Sequence, residues 1–226
     1  MGADNYTHLL CNDKDLSKKY AAEFGLKAPK SRMFRSILSK ERILEQLKLL
    51  NLPLVIKPNF GGGSSGISSK SLVHSYMDAA ELIMYHLNVH PTPILAEEYA
   101  TGQEVSLLLI GNRKKISFFG ETQLIINGQS YFRDHIWGYE EKKIDDSKVD
   151  YMISHLTSPL EREQAVHIFQ SFEKVEYMRI DGRVTGDGFC LLELSPDCYL
   201  GPECDFEVAM RAEGFDYPGM LKFIID

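Results

Sequence analysis

The sequence has no surplus of positive charge: 25 Lys and Arg stand against 32 Asp and Glu, for a net charge of −7. No basic excess is left over to neutralise a phosphate backbone, which argues against nonspecific nucleic-acid binding, although a single nucleotide needs only a local group of cations. Cysteine is scarce as well. Cys11, Cys190, Cys198 and Cys204 form no CxxC pair in a chain of 226 residues, so free thiols in a reducing compartment are expected ahead of a disulfide frame or a zinc site. No apolar run approaches a membrane span, and the opening MGADNYTHLL is too polar for a signal peptide. Myristoylation at Gly2 wants Ser or Thr where Tyr6 stands. The expectation is a cytoplasmic protein with no membrane and no nucleic-acid partner. Internal repeats and low-complexity segments are also missing.

Present instead is an ordinary globular composition, 44% hydrophobic and 25% charged, enough for one substantial core or two small lobes with a cleft between them. The chain is organised around residues 52–70, LPLVIKPNFGGGSSGISSK. Leu54, Val55 and Ile56 predict a strand that Pro58 ends at Lys57, so a cation is delivered at a strand end. Gly61, Gly62 and Gly63 follow, free to take positive φ and turn successive N–H groups toward an anion, with Ser64, Ser65 and Ser68 adding hydroxyls. A solvated glycine-serine turn is the alternative. A Walker loop needs its lysine after the glycines, and a Rossmann fingerprint needs a helix after them. Neither order is met, and Ile67 is expected to begin a return strand.

Around that hairpin, Asp13 predicts a helix cap, with Leu16, Tyr20 and Phe24 at helical spacing and Lys14 in the first turn. The helix dipole does not favour a cation there, which leaves a solvated Lys14 and a ligand-directed one both open. A strand is expected over 32–34, a Ser39-capped helix over 40–49, and a helix over 71–87 with Leu72, Met77, Ala80, Leu82 and Met84 inward. The strand 94–96 runs into Glu97 and Glu98, either a solvated turn or part of a site. Strands over 105–110, 115–119 and 124–126 continue a meander. Residues 129–157 are polar and aromatic without a period, as a functional lid or a surface loop would be. A helix over 161–177 precedes strands 178–184 and 189–194, joined at Asp187-Gly188, and helices over 202–212 and 218–225 close the chain. Asp181 and Glu193 fall where that hairpin can bring them together, unless both simply face solvent; two such carboxylates repel unless protonated or bridged by a cation, and hard oxygens of this kind suit Mg²⁺.

Four stretches in order, VIKPNFGGGSSG, LAEEYATGQEV, YEEKK and MRIDGRVTGDGFCLLELSP, together resemble the ATP-grasp superfamily in its D-alanine-D-alanine ligase-like branch, from about Asn12 onward. The resemblance implies an α+β fold of two lobes with mainly antiparallel sheets clasping a nucleotide: residues 1–30 as a helical segment on the C-terminal lobe, 31–100 as the small lobe, and 101–226 as the large one. It implies ATP and Mg²⁺ as cofactors. Lys14 and Lys57 would contact phosphates, with Gly61, Gly62, Gly63 and Ser64 over them. Glu97 and the backbone at Tyr99 and Ala100 would hold adenine, with Glu98 also in the nucleotide site, and Glu104 would hold the ribose hydroxyls. Lys142, carried on the lid with Trp137, would reach the terminal phosphate. Asp181, Glu193 and Ser195 would hold Mg²⁺, and Arg179 would stabilise charge at the reacting acyl centre.

The implied activity is an ATP-dependent carboxylate-amine ligase working through an acyl phosphate on small molecules such as amino acids or peptides. Ser195 replaces the family's usual Asn, Cys198-Tyr199 its Pro-Gly, and Gly63 its loop serine, which leaves the amino-acid substrates open. The family's preceding domain is expected to be missing, so a homodimer or a partner supplying it is a further expectation. A nucleotide-binding module without ligase activity, acting as a subunit or regulator, and phosphoryl transfer to a hydroxyl are the rival functions.

Overall fold

The computed structural model describes residues 2–63, 65–89, 92–136 and 149–226. Two helices, α1 (Asn5–Asn12) and α2 (Lys14–Ala22), lead into β1 (Ser31–Phe34), α3 (Lys40–Leu47), β2 (Leu54–Pro58), β3 (Leu72–Val73), α4 (Tyr76–Val89) and β4 (Ile94–Glu98). The four strands form an antiparallel sheet in the order β1-β4-β2-β3. Phe34, Ile43, Leu47, Ile56, Ile83 and Ala96 make its core against α3 and α4, each buried Leu, Ile or Phe contributing roughly 1.5–3 kcal/mol.

The second sheet contains β5 (Gly102–Asn112), β6 (Lys115–Ile126), β7 (Tyr131–Phe132), β8 (Val149–Ile153), β9 (Tyr177–Thr185) and β10 (Gly188–Ser195). It is ordered β10-β9-β5-β6-β8, with β7 beside β5. Its companions are α5 (Pro159–Ser171), α6 (Asp205–Ala212) and α7 (Tyr217–Ile225). The run Leu107 to Ile110 is apolar at every position because both faces of β5 are covered. Leu107 and Leu109 pack with α1, α2 and α5, while Leu108 and Ile110 pack with Phe206, Met210 and Met220.

Several expectations change. The helix α2 does not bury Leu16, which is exposed; Lys14, Ser17, Lys18 and Ala21 face inward instead. The return strand is β3, starting five residues after Ile67, with a 3₁₀ turn at Ser69–Ser71 before it. Leu72 therefore belongs to a strand, and Met77 on α4 is exposed while Ala79, Ala80 and Ile83 are buried. The helix expected to reach Tyr177 ends at Ser171, where Phe172 turns extended, and Tyr177 opens β9. Strand β6 runs unbroken through 115–126. The aperiodic stretch 129–157 contributes β7 and β8 at its two ends, and its centre, with Trp137 and Lys142, lies outside the described residues.

Candidate functional site

A cavity of about 310 Å³ is lined from both sheets and from the glycine loop after β2. Strand β2 brings Lys57 to it. Lys57 is paired in register with Leu95, which places Glu97 two residues along β4 on the same face, and Lys57 Nζ donates to Glu97 Oε1 at 2.8 Å. Lys18, from α2, donates to the other carboxylate oxygen. Glu97 is thus a buried anion between two ammonium groups, arranged so that none of the three charges is left unpaired. Burial, with the Lys14 charge nearby, pushes Lys57 down to about 8. Burial and the Lys57 charge push Lys18 well below the ordinary lysine range.

Lys14 reaches the same cavity from the first turn of α2, and buried Asn59 fixes that turn. Asn59 accepts from the Lys14 backbone N–H at 3.1 Å and from that of Asp15 at 3.0 Å, and its amide donates to the capping residue Asp13 at 2.8 Å. The Gly61 N–H donates to Asn12 Oδ1 at 2.9 Å, tying the glycine loop to the end of α1. Lys14 Nζ then donates to the Gly61 carbonyl and lies 3.3 Å from Glu193. At Gly61 and Gly63 φ is +96° and +62°, and a Cβ at either would meet no heavy atom within 4 Å. What demands glycine is the backbone conformation, and the space above is open cavity.

On β9, alternate residues Arg179, Asp181 and Arg183 face the cavity, while Ile180 and Gly182 face the core. Asp181 is opposite Glu193 in the ladder, after a bulge between Leu191 and Glu193. The extra residue, Leu192, lets Leu191 point into the core and Glu193 into the cavity, which an unbroken alternation would forbid. Asp181 lies 2.8 Å from Arg179 Nε and accepts from Ser106 Oγ at 2.8 Å and from Ser195 Oγ at 3.4 Å. Arg179 Nη1 also donates to Asp205 at 3.0 Å. Asp205 is buried at the start of α6, its other oxygen accepting from the Phe206 N–H at 2.9 Å.

The other end of the cavity is formed by Tyr99, Ala100, Glu104 and Arg183. Glu98 also borders it, but its carboxylate accepts from Asn51 N at 2.8 Å and Asn51 Nδ2 at 3.0 Å, so the side chain is committed elsewhere. Ser64 and Lys142 lie outside the described residues. Sequence reading missed Lys18, Asp205 and Arg183. For Arg183 the signal existed, since Arg179, Asp181 and Arg183 share the period of two that a strand imposes. Lys18 and Asp205 meet partners 79 and 26 residues away, a relation no local pattern encodes.

The residues suit a magnesium-nucleotide in kind. Among the described residues no group of three or more His, Cys, Asp or Glu could hold a metal ion, yet Mg²⁺ commonly takes only one or two carboxylates and completes its shell with water and phosphate oxygens. Asp181, Glu193 and the Ser195 hydroxyl supply such oxygens. The charges point the same way. Lys14, Lys18, Lys57, Arg179 and Arg183 are already matched by Glu97, Glu104, Asp181, Glu193 and Asp205. A polyphosphate entering this balanced site brings negative charge that calls for a further cation.

A second cavity, of about 540 Å³, shares Gly61, Gly62, Gly63, Arg179 and Glu193 with the first and adds His8, Ser195, Asp197, Cys198 and Tyr199. Burial pushes the Cys11 thiol up to about 12 and raises Cys198 too, so neither is a thiolate nucleophile at neutral pH.

Two antiparallel sheets flanking a cavity with buried lysines, a glycine loop and a facing carboxylate pair define an ATP-grasp type of architecture. The fold matches that of the VanG D-Ala:D-Ser ligase from Enterococcus faecalis, with a TM-score of 0.72 at 23% identity, over 99% of this chain and 63% of that one. A D-alanine–D-alanine ligase from Bacillus anthracis, solved complexed with ATP, matches with a TM-score of 0.72 at 17% identity, over 99% and 68% of the two chains. A D-alanine–D-alanine ligase of Corynebacterium urealyticum is 24% identical over 220 residues, 94% of this chain and 58% of its own length. The model for the D-ala D-ala ligase C-terminus matches residues 21–226, and the chain belongs to that family. It spans 65%, 58% and 51% of the length of three curated relatives that it matches. Among the described residues no helix is long and apolar enough to cross a membrane.

Proposed function

We propose that the chain forms the nucleotide-binding and catalytic part of an ATP-dependent ligase that joins a small carboxylate to an amine. The observation that carries this reading is the convergence of Lys14, Lys57, the glycine loop, Asp181 and Glu193 on one cavity that a second cavity adjoins. Lys57 and Lys14 bind the polyphosphate, and the N–H groups of residues 61–63 cover it. Asp181, Glu193 and Ser195 hold Mg²⁺, which when bound neutralises charge on the phosphate oxygens. The backbone of Tyr99 and Ala100 holds the base, with Glu97 serving it by fixing Lys57 and Lys18 beside the site, and Glu104 holds the ribose.

The carboxylate substrate sits in the second cavity, facing the first across Arg179 and Glu193. Its oxygen attacks the γ-phosphorus, the bond to the β-phosphate oxygen breaks, and ADP leaves. The amine nitrogen then attacks the acyl carbon, inorganic phosphate departs, and the nitrogen gives up a proton. Arg179, held by Asp181 and Asp205, is oriented toward the acyl oxygen on which negative charge develops. Amino acids or short peptides are the substrates, and a second copy or another chain can complete their enclosure.

A module that binds nucleotide without ligating is the second reading, favoured by the commitment of Arg179 to two carboxylates. A screen of amino acids and dipeptides for phosphate and ADP release separates the two. Release that requires both an added carboxylate and an added amine supports the ligase; nucleotide binding with no such release across the screen defeats it.

A further inference from the structure

Arg183 is the most completely engaged side chain in the cavity, and neither the fold nor the chemistry above requires it. It is 5% exposed. Its Nε and Nη2 both donate to a single oxygen of Glu104, Oε2, at 3.2 and 3.0 Å. Nη1 donates to the Ala100 carbonyl at 2.9 Å, and Nη2 also to the His135 carbonyl at 3.2 Å. The guanidinium carbon lies 4.8 Å from the centre of the Tyr99 ring and 5.5 Å from that of Phe132. Glu104 stands opposite Arg183 in the β5–β9 ladder, so strand register as well as charge holds the pair together.

This arrangement uses one oxygen of Glu104 and spares the other. No described residue donates to Oε1, and the Glu104 side chain keeps 30% of its surface exposed at the cavity wall. The two bonds to Oε2 fix where the carboxylate sits at the cavity wall. The free oxygen is then a fixed acceptor for O–H donors and repels phosphate. The polar groups of the cavity are divided, with lysines and glycine N–H groups at one end and this acceptor at the other.

We propose that Arg183 is a positioning residue that sets sugar selectivity: by locking Glu104 it makes the site discriminate a ribose diol from a deoxyribose. The inference rests on the nucleotide reading above. The test is calorimetric titration with Mg-ATP, Mg-2′-deoxyATP, Mg-3′-deoxyATP and inorganic tripolyphosphate, on the wild-type protein, Arg183→Met and Arg183→Lys. The wild type should prefer ATP over at least one deoxy form by about tenfold, on the scale of one hydrogen bond to a charged acceptor. In Arg183→Met the ratio should fall to within about twofold while tripolyphosphate affinity holds, because that end of the site is untouched. Arg183→Lys keeps the charge without the planar fork and should fall between them. It also serves if the methionine variant does not fold. Wild-type protein that binds ATP without discriminating either deoxy form, or a folded variant that keeps the full ratio, overturns the proposal. Absence of any ATP binding would instead bring down the nucleotide reading and this inference with it.

Discussion

At Lys57, burial and the Lys14 charge oppose the proton, bringing the group to about 8. An incoming polyphosphate supplies negative charge that favours the ammonium, so the complex binds more protons than the free protein wherever Lys57 is partly neutral. Nucleotide binding should therefore take up protons, and affinity should decline as pH rises through about 8. Titrations near that pH in two buffers of different ionisation enthalpy measure the uptake; equal heats in both would contradict it. The same shift makes stability rise between about 8 and the unfolded lysine value of 10.5, where the unfolded chain holds the extra proton. Truncation in Lys57→Ala should weaken Mg-ATP by about 1.5–3 kcal/mol, the scale of a hydrogen bond to a charged group. Unchanged affinity there would remove Lys57 from the site.

Among the elements, α2 decides how the cations are placed. It packs Ala21 into the large sheet's core while sending Lys18 to Glu97 on the small sheet. Its cap is double: Asp13 accepts from Leu16 N at 3.0 Å and from Asn59 Nδ2 at 2.8 Å. Asp13→Ala should cost about 0.5–2 kcal/mol as a lost cap, seen in urea unfolding, and should also lower nucleotide affinity by releasing the first turn that carries Lys14. A variant as stable as the wild type would show that Asn59 alone holds the turn. In this helix the apolar spacing is only a partial guide to the inward face. Of Leu16, Tyr20 and Phe24 at helical spacing, Tyr20 and Phe24 do pack against the large core but Leu16 is exposed, while Lys18 turns inward because the buried carboxylate of Glu97 accepts from it. The hairpin of β9 and β10 was legible, since Asp187-Gly188 specifies its turn and Phe189, Leu191 and Leu194 its core side. The bulge at Leu192 was not, although it alone explains how Leu191 and Glu193 face opposite ways. The pattern predicts α5 too long because Phe172 and Val175 stay apolar past its end; Phe172 is buried from extended backbone and Val175 from the loop before β9.

Across the whole molecule, the two sheets keep separate apolar clusters, so the contacts that join them at the cavity are largely polar: Lys18 and Lys57 on Glu97, Lys14 between Gly61 and Glu193. A ligand gripping residues from both sides adds its binding energy to the folded state alone. At about one hundred times its dissociation constant, a nonhydrolysable Mg-ATP analogue should stabilise the protein by about 2.7 kcal/mol. At about 2–4 °C per kcal/mol for a chain of this size, that is a rise in Tm of about 5–10 °C. Because Lys14, Lys57 and the carboxylate pair lie on different sheets and one helix, the liganded protein should melt in a single transition. Chelating the Mg²⁺ with EDTA should remove most of the shift, and Glu193→Gln, isosteric but uncharged, should reduce it without changing the melting of the free protein by a comparable amount. A Tm that ignores saturating nucleotide would show that no ligand bridges the sheets. A shift unaffected by both EDTA and Glu193→Gln would leave the lysines as the phosphate site and take Asp181 and Glu193 out of it.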